Sequence, residues 1–206
     1  MIRTDKNEIN YHGLRVFKPR HPSVRRLKRL HTPAVFGNRV WETSWLLIDF
    51  IKQQGLRDDL NILEVGCGWG LPGIYCAKNH KATVTGLDCD AAVFPYLRLH
   101  AEANQVEIAT VNAGLEQLTA GRMSGIDVLI GAEICFWDKM VSQLGNLIHC
   151  ALTAGVRLIL LADPGRTPFD ALEAYCLDRY KQRALTWRIL HPYLFQGRIL
   201  KFGSAY

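Results

Sequence analysis

The stretch Asn61-Ile-Leu-Glu-Val-Gly-Cys-Gly-Trp-Gly-Leu-Pro-Gly-Ile74 decides the fold class of this chain. A short apolar run leads into a loop with glycines at positions 66, 68 and 70, and a helix start follows. Glycines allow a tight turn and let backbone amides come close to a ligand, while a helix N-terminus favours negative charge. The pattern therefore predicts a strand, a nucleotide-binding turn and a helix.

Details of this loop distinguish between cofactors. A dinucleotide fingerprint requires a third glycine where Leu71 stands, and a P-loop requires a lysine that the loop lacks. Glu64, just before the loop, would repel a pyrophosphate and attract a cationic ligand with an amino group. These features favour S-adenosylmethionine over a nicotinamide cofactor or a nucleoside triphosphate. A purely structural strand-to-helix turn remains the alternative.

A second acidic residue, Asp88, closes the next predicted strand and lies 20 residues after Gly68. A carboxylate at this place accepts both hydroxyls of an adenosine ribose. A nicotinamide site would also have an acid here, so Asp88 indicates adenosine without choosing the cofactor. The alternative is that Asp88 caps the next helix, a role that suits Asp90 better.

Strand-like and helical segments alternate along the chain from residue 41 onward. Predicted strands cover residues 61–65, 82–87, 106–111, 126–130, 156–161, 185–190 and 198–202, and predicted helices cover 41–54, 71–80, 90–103, 138–153 and 168–183, with a short turn near 115–120. This order predicts an α/β, three-layer Rossmann-like fold whose seven-stranded, mostly parallel sheet ends in an antiparallel C-terminal hairpin. At the last helix, Thr167 and Asp170 form a candidate capping box around Pro168.

Composition is that of a soluble globular protein. The chain has 206 residues, of which 49% are hydrophobic and 21% charged. No apolar run approaches the roughly 20 residues of a membrane span, and the first six residues lack the apolar core of a signal peptide, so we expect a cytoplasmic protein that does not contact a membrane. The six cysteines form no CxxC pair, which predicts reduced, buried thiols and no metal site.

Positive charge is concentrated at the start of the chain. Residues 1–40 hold ten Lys/Arg and two Asp/Glu, whereas residues 41–206 hold fifteen and seventeen. We therefore divide the chain into a basic N-terminal arm, 1–40, and a catalytic domain, 41–206. The charges in residues 15–29 could bind RNA phosphates or an acidic protein surface, and the alternative is an amphipathic segment packed on the domain.

The glycine loop followed by Asp88 resembles the first two motifs of class I, or seven-β-strand, S-adenosylmethionine-dependent methyltransferases. Its Gly-Leu-Pro-Gly-Ile continuation is similar to the protein-lysine branch called methyltransferase family 16, which includes the electron-transfer-flavoprotein β-subunit lysine methyltransferases. The resemblance covers residues 40–166 and implies S-adenosyl-L-methionine as cofactor. Trp41 stands where the family has a cofactor-contacting tryptophan, and Gly114 and Leu115 stand where the family contacts the adenine.

These considerations give one set of candidate cofactor-binding residues. Glu64, Asp88 and the backbone of Gly66 to Gly68 are expected to hold the methionine and ribose parts. Gly114, Leu115 and Ala132 are expected to frame the adenine. The complete set is Trp41, Glu64, Gly66, Cys67, Gly68, Asp88, Cys89, Gly114, Leu115 and Ala132.

The end of the fourth predicted strand is the expected place of the chemistry. Glu133-Ile-Cys-Phe136 resembles the acid and aromatic residue that the lysine-modifying branch has here, with Glu in place of Asp and Phe in place of Tyr. Glu133 could steer a lysine and relay its proton, and Phe136 could form an aromatic wall. The alternative is that Glu133 caps a helix and Phe136 is core. Asp163 and Arg166, from Asp-Pro-Gly-Arg166, could line the substrate entrance.

The predicted function is a methyltransferase acting on a protein lysine, with a small molecule or RNA as alternative acceptors. The motif of base-amino methyltransferases, Asn or Asp followed by Pro-Pro and an aromatic residue, does not follow the fourth strand. Two hypotheses of other classes remain: a nicotinamide-dependent oxidoreductase, and a non-catalytic protein that binds RNA or a partner through its basic arm.

Overall fold

The computed structural model describes residues 6–204, and residues 1–5 of the predicted basic arm and 205–206 lie outside it. The strands are β1 Glu8–Tyr11, β2 Leu14–Phe17, β3 Asn61–Val65, β4 Thr83–Asp88, β5 Ala109–Asn112, β6 Val128–Ala132, β7 Leu158–Asp163, β8 Ala184–Ile189 and β9 Phe195–Gly203. The helices are α1 Pro22–Leu30, α2 Glu42–Gln54, α3 Leu71–His80, α4 Phe94–Ala103, α5 Lys139–Thr153 and α6 Thr167–Tyr180. Short 3-10 turns cover Ala91–Val93, Leu115–Gln117 and Ala120–Met123.

The main sheet has seven strands in the order β5-β4-β3-β6-β7-β9-β8. Neighbouring strands pair in parallel from β5 to β7, whereas β9 pairs antiparallel with both β7 and β8. The predicted fold class, including its antiparallel C-terminal hairpin, is confirmed. The strand order reverses between β3 and β6, because β4 and β5 lie on one side of β3 and β6 on the other.

Two hydrophobic layers cover the sheet, and the strands alternate between them. Ile62 packs in a cluster with α2 and α3, while Leu63 and Val65 pack in a cluster with α5 and α6. Glu64 has the same parity as Ile62, so its side chain faces α3. β3 carries apolar residues on both faces, as expected for a central strand that is covered on both sides.

The beginning of the described chain folds onto the domain. The β1–β2 hairpin buries Leu14 and Val16 in the same cluster as α2 and α3. The Arg15 N–H and C=O are both bonded to the Asn104 side chain at the end of α4. The β1–β2 hairpin is thus packed on the domain, while the division at residue 40 and the role of the charges in residues 15–29 stay predictions.

His100 on α4 anchors the hairpin from inside. It is fully buried; its Nδ1 lies 2.7 Å from the Tyr96 carbonyl, and its Nε2 accepts from the Phe17 N–H at 3.2 Å. Burial lowers the pKa of His100 to about 4. The ring is therefore neutral at physiological pH, as an acceptor nitrogen requires.

The predicted capping box of α6 is wrong. The helix begins at Thr167, so Arg166 and not Thr167 is the N-cap, and no side chain caps it. The Asp170 carboxylate instead pairs with Arg198 on β9. The Asp170 carboxylate, which the sequence pattern assigned to a helix cap, therefore forms a tertiary ion pair.

Predicted element bounds differ from the observed ones by a few residues. α4, predicted from residue 90, begins at Phe94, and β5, predicted over 106–111, covers Ala109–Asn112. No helix in residues 6–204 is long and apolar enough to cross a membrane.

Candidate cofactor and methyl-transfer site

A cavity of about 380 Å³ opens at the carboxyl ends of β3, β4 and β6, beside the point where the strand order reverses. Ligands of open α/β sheets bind at this place. All twelve predicted site residues line the cavity: Trp41, Glu64, Gly66, Cys67, Gly68, Asp88, Cys89, Gly114, Leu115, Ala132, Glu133 and Phe136. The structure thus brings the whole predicted set together, and the role of each residue remains a prediction.

The glycine loop forms the floor of the cavity. Gly66, Gly68 and Gly70 all have positive φ, at 60°, 50° and 70°. A Cβ at Gly66 would collide with the Ile134 side chain, and one at Gly70 would come within 2.7 Å of Leu97. A Cβ at Gly68 would meet nothing within 4 Å. Gly68 is therefore the glycine at which the backbone faces open space.

Glu64 is a buried carboxyl group at the cavity wall, 2% exposed. Its Oε2 accepts a hydrogen bond from the Gly73 N–H in the first turn of α3, at 3.0 Å. Burial raises the pKa of Glu64 to about 8, against the lowering effect of this bond, and the charge of Asp88 adds to the rise. A cation in the cavity would favour the ionised form.

Asp88 connects β4 to the glycine loop. Its two carboxylate oxygens accept from the Gly68 and Asp90 N–H groups, each at 3.0 Å. Burial raises the pKa of the Asp88 carboxyl, and these hydrogen bonds oppose the rise. Asp90 caps the following turn by accepting from the Ala92 N–H, as the sequence indicated. Asp88 is thus left facing the cavity.

The other cavity residues include thiols and a loop. Burial raises the pKa of the Cys67 thiol well above its usual range, so it stays protonated. Cys89 is exposed and Cys150 is half-buried, which corrects the expectation that all six cysteines are buried. Gly114 and Leu115 lie where β5 passes into a 3-10 turn, and the Gly114 N–H is bonded to Gln117.

Glu133 lies just past the end of β6 with a positive φ of 59°, which is uncommon for a residue with a side chain. Its Oε2 accepts from the Thr43 hydroxyl at 2.6 Å, and its Oε1 pairs with the Arg166 guanidinium. Arg166 also lies within 3.3 Å of Asp163. The predicted catalytic carboxylate is therefore already engaged at both oxygens.

Asp163 and Arg166 do not sit as the sequence suggested. Asp163 is fully buried and accepts from the Gly165 and Arg166 N–H groups, so it is not at an entrance. The Arg166 guanidinium lies over the Phe136 ring, 4.5 Å from its centroid, and 5.9 Å from that of Trp41. The Arg166 side chain thus packs against two aromatic rings at the opening of the cavity.

An aromatic mouth, consisting of Phe36, Trp41, Phe136 and Trp137, borders the cavity. Phe36 stacks on Phe136 at 4.8 Å, and the Trp41 Nε1–H donates to the Phe36 carbonyl at 3.1 Å. Phe136 is consequently neither a free wall nor ordinary core. It is one ring of a cluster that joins the loop before α2 to the end of β6.

Sequence reasoning missed Thr43, Phe36, Trp137 and the link between Glu133 and Arg166. Thr43 is fully buried two residues after Trp41, on the first turn of α2. A polar residue beside the predicted cofactor tryptophan was the available signal for Thr43. The ion pair between residues 133 and 166 had none, because it joins two different strand ends.

Comparison with known proteins agrees with the geometry. A family model described as "Methyltransferase domain" matches residues 62–155. A solved tRNA (uracil-54, C5)-methyltransferase from Pyrococcus abyssi, in complex with S-adenosyl-L-homocysteine, superposes with a TM-score of 0.57 at 19% identity, over 95% of this chain and 43% of that one. The chain has the class I methyltransferase fold. The comparison agrees with S-adenosyl-L-methionine as the cofactor of this fold.

Relatives by sequence match this chain over short stretches. A histidine protein methyltransferase 1 homolog of Dictyostelium discoideum is 42% identical over 52 residues, 23% of this chain and 16% of that protein. A ubiquinone biosynthesis O-methyltransferase of Coxiella burnetii is 36% identical over 72 residues, 35% of this chain and 30% of that protein. The matches thus span less than a third of either relative's length and do not fix a substrate.

Proposed function

We propose that this chain is an S-adenosylmethionine-dependent methyltransferase whose acceptor is the amine of a protein lysine. The observation that carries the proposal is the cavity in which two carboxylates, Glu64 and Asp88, flank the open backbone of Gly68. S-adenosylmethionine presents a positive charge, a ribose and a surface that the protein backbone must approach closely. Two carboxylates beside a glycine match these three features.

The described residues fit this cofactor. Glu64 would hold its ammonium group, Asp88 its ribose hydroxyls, and Gly114, Leu115 and Ala132 its adenine. When bound, the cofactor supplies a methyl group already activated on a positively charged sulfur. The chain therefore has to bind and orient the acceptor and exclude water, and the lysine ammonium has to lose a proton to water so that its amine reaches the methyl group neutral.

The aromatic mouth supports an amine acceptor. Ring faces attract cations and methylated amines, and the half-exposed Phe36 ring offers such a face at the rim, whereas the Trp41 and Phe136 rings already hold the Arg39 and Arg166 guanidinium groups. The Dictyostelium relative is named a histidine protein methyltransferase, which supports a protein as acceptor and names a side chain other than lysine. Arg166 and Thr43 are bonded to the two carboxylate oxygens of Glu133. We therefore assign Glu133 as a positioning residue, which keeps the aromatic mouth in place through Arg166, and not as a proton relay.

The acceptor class is tested by incubating the protein with methyl-labelled cofactor and cell lysate. We expect label that protease destroys, that nuclease leaves intact, and that is recovered as methyllysine after acid hydrolysis. Label destroyed by nuclease, or label only in small molecules, would contradict the lysine proposal and leave methyl transfer standing. Absence of any label would contradict methyl transfer to lysate components.

Gly68→Ala is expected to weaken binding of S-adenosylmethionine at least tenfold. The new methyl group would meet no protein atom within 4 Å and would project into the space proposed for the cofactor. The φ of 50° adds a strain of about 1–2 kcal/mol. Binding is measured by isothermal titration calorimetry and stability by thermal unfolding.

Gly55→Ala is the matched control for strain. Gly55 also has a positive φ, 80°, and a Cβ there would likewise meet nothing within 4 Å, but Gly55 lies after α2 and outside the cavity. Gly55 has φ 80° and ψ 165°, a region essentially restricted to glycine, so Gly55→Ala should lose at least as much stability as Gly68→Ala, and only Gly68→Ala should lose affinity. Equal affinity for S-adenosylmethionine in the two variants would show that Gly68 does not lie in the cofactor site.

Cofactor binding is expected to strengthen as the pH rises from 6 to 8. With a pKa raised to about 8 by burial, Glu64 is mostly protonated at neutral pH, whereas a bound ammonium requires the carboxylate. Each pH unit below 8 therefore costs about 1.4 kcal/mol, or up to tenfold in affinity. Calorimetry at pH 7 in buffers of different ionisation enthalpy should detect close to one proton released.

Glu64→Gln provides the control for this pH dependence. Its amide oxygen can still accept from the Gly73 N–H, but it has no proton to lose. Affinity of this variant should be weak and flat between pH 6 and 8. A wild-type profile that is also flat would show that Glu64 does not meet the cation.

A further inference from the structure

The outer side of α1 and the turn before it carry an unbalanced cluster of positive charge. We call Arg20, Arg25, Arg26, Lys28 and Arg29 the basic face; all five side chains are exposed. Within residues 6–204, none of them forms an ion pair with an acidic side chain, whereas nearby Arg15 pairs with Glu8. Free cations in one cluster are available to a polyanion.

The surrounding sequence keeps this charge from being neutralised. Residues 9–41 contain no Asp or Glu, although eight Lys/Arg lie among them. The local sequence therefore offers no acidic side chain that could neutralise the basic face. Four of the five residues of the basic face are arginines, whose planar guanidinium groups bind phosphate through two hydrogen bonds.

The inner side of α1 packs against a residue of the cavity wall. Val24 is buried in a cluster with Phe17, Trp69 and Tyr96. Trp69 itself lines the cavity, and its Nε1–H donates to the Gly37 carbonyl at 2.9 Å. The chain thus passes from α1, over Trp69, directly into the aromatic mouth.

Two rings of the aromatic mouth remain accessible. Phe36 is 47% exposed and Trp137 is 42% exposed, and both line the cavity. Single-stranded nucleic acids are bound by a positive surface that follows the backbone together with aromatic rings on which bases stack. The basic face followed by these two rings has both parts.

We propose that the basic face binds a single-stranded RNA whose backbone follows α1 and whose bases reach Phe36 and Trp137. The two exposed rings beside the charges favour RNA over an acidic protein surface, because bases stack on such rings whereas acidic side chains do not. The inference goes beyond the proposed function and does not depend on which atom accepts the methyl group.

The test is fluorescence anisotropy with a labelled 12-nucleotide polyuridylate at several salt concentrations. Five phosphate contacts predict a slope of log K against log salt of about −3.5, or roughly hundredfold weaker binding at 200 mM than at 50 mM salt. The variant R25A/R26A/K28A/R29A should lose at least tenfold in affinity and most of the slope. These positions are exposed, so its thermal unfolding and cofactor affinity should match the wild type.

R57A/R122A/R183A/R188A removes the same charge from exposed positions elsewhere and should lose less than threefold. Equal losses in the two variants would reduce the effect to net charge and overturn the proposal. Absence of polyuridylate binding by the wild type would do the same. A labelled 12-residue polyglutamate peptide bound as tightly as the RNA would assign the surface to an acidic protein. Each of these results is independent of methyl transfer, which is read by the lysate experiment.

Discussion

Asp88→Ala is expected to weaken binding of S-adenosylmethionine at least hundredfold while the chain still folds. The carboxylate is the group proposed to accept both ribose hydroxyls, and hydrogen bonds to a charged group contribute about 1.5–3 kcal/mol each. Two lost bonds correspond to roughly 3–6 kcal/mol, or a hundredfold to ten-thousandfold. Isothermal titration calorimetry measures this loss directly.

The same change also affects the glycine loop. Without the carboxylate, the Gly68 and Asp90 N–H groups lose their acceptor, so we expect a moderate fall in melting temperature. Asp90→Ala is the matched control, because Asp90 is also bonded to backbone N–H groups but does not line the cavity. Asp90→Ala should lose stability and keep cofactor affinity. Wild-type affinity in Asp88→Ala would contradict the assigned pocket.

Glu133→Ala is expected to lower methyl transfer at least hundredfold and to leave cofactor affinity within about threefold. Removing the carboxylate leaves Arg166 with Asp163 as its acidic partner and loosens the guanidinium that supports Phe136 and Trp41 at the mouth. Misplacement of an acceptor by about 1 Å is enough for a loss of this size. Because breaking a buried ion pair costs about 3–5 kcal/mol, thermal unfolding is measured beside turnover.

Glu133→Gln separates positioning from proton transfer. The amide can still bond to Arg166 and Thr43, so a positioning residue should be rescued to within about tenfold of the wild type. A proton relay would be lost in Gln as completely as in Ala. Glu42→Ala is the matched control, because Glu42 pairs with Arg39 over the same Trp41 ring but is exposed, and it should change turnover little. Wild-type turnover in Glu133→Ala would leave Glu133 without a functional role.

Much of the fold could be predicted because its signals are local. Apolar runs separated by helical periodicity predict β3, β4, β6 and β7, and three glycines in the 66–70 loop predict the turn. The cofactor cavity followed from topology, since parallel strands bring their carboxyl ends to one edge. Glu64 and Asp88 therefore meet although 24 residues separate them.

The remaining features depend on contacts between distant parts of the chain. Glu133 had an expected role as a free carboxylate, but its partners Thr43 and Arg166 come from α2 and from the loop after β7. Asp170 was assigned to a cap and instead pairs with Arg198. In both cases the local sequence pattern identified the charged residue, whereas its partner is determined by tertiary packing.

Co-crystallisation with S-adenosylhomocysteine tests the central claim most directly. We predict that the nucleoside lies in the cavity at the ends of β3 and β4, with its ribose hydroxyls bonded to Asp88 and its ammonium group beside Glu64. A crystal grown at saturating nucleoside in which this cavity stays empty, or in which Trp41 or Phe136 fills it, would contradict the proposed function.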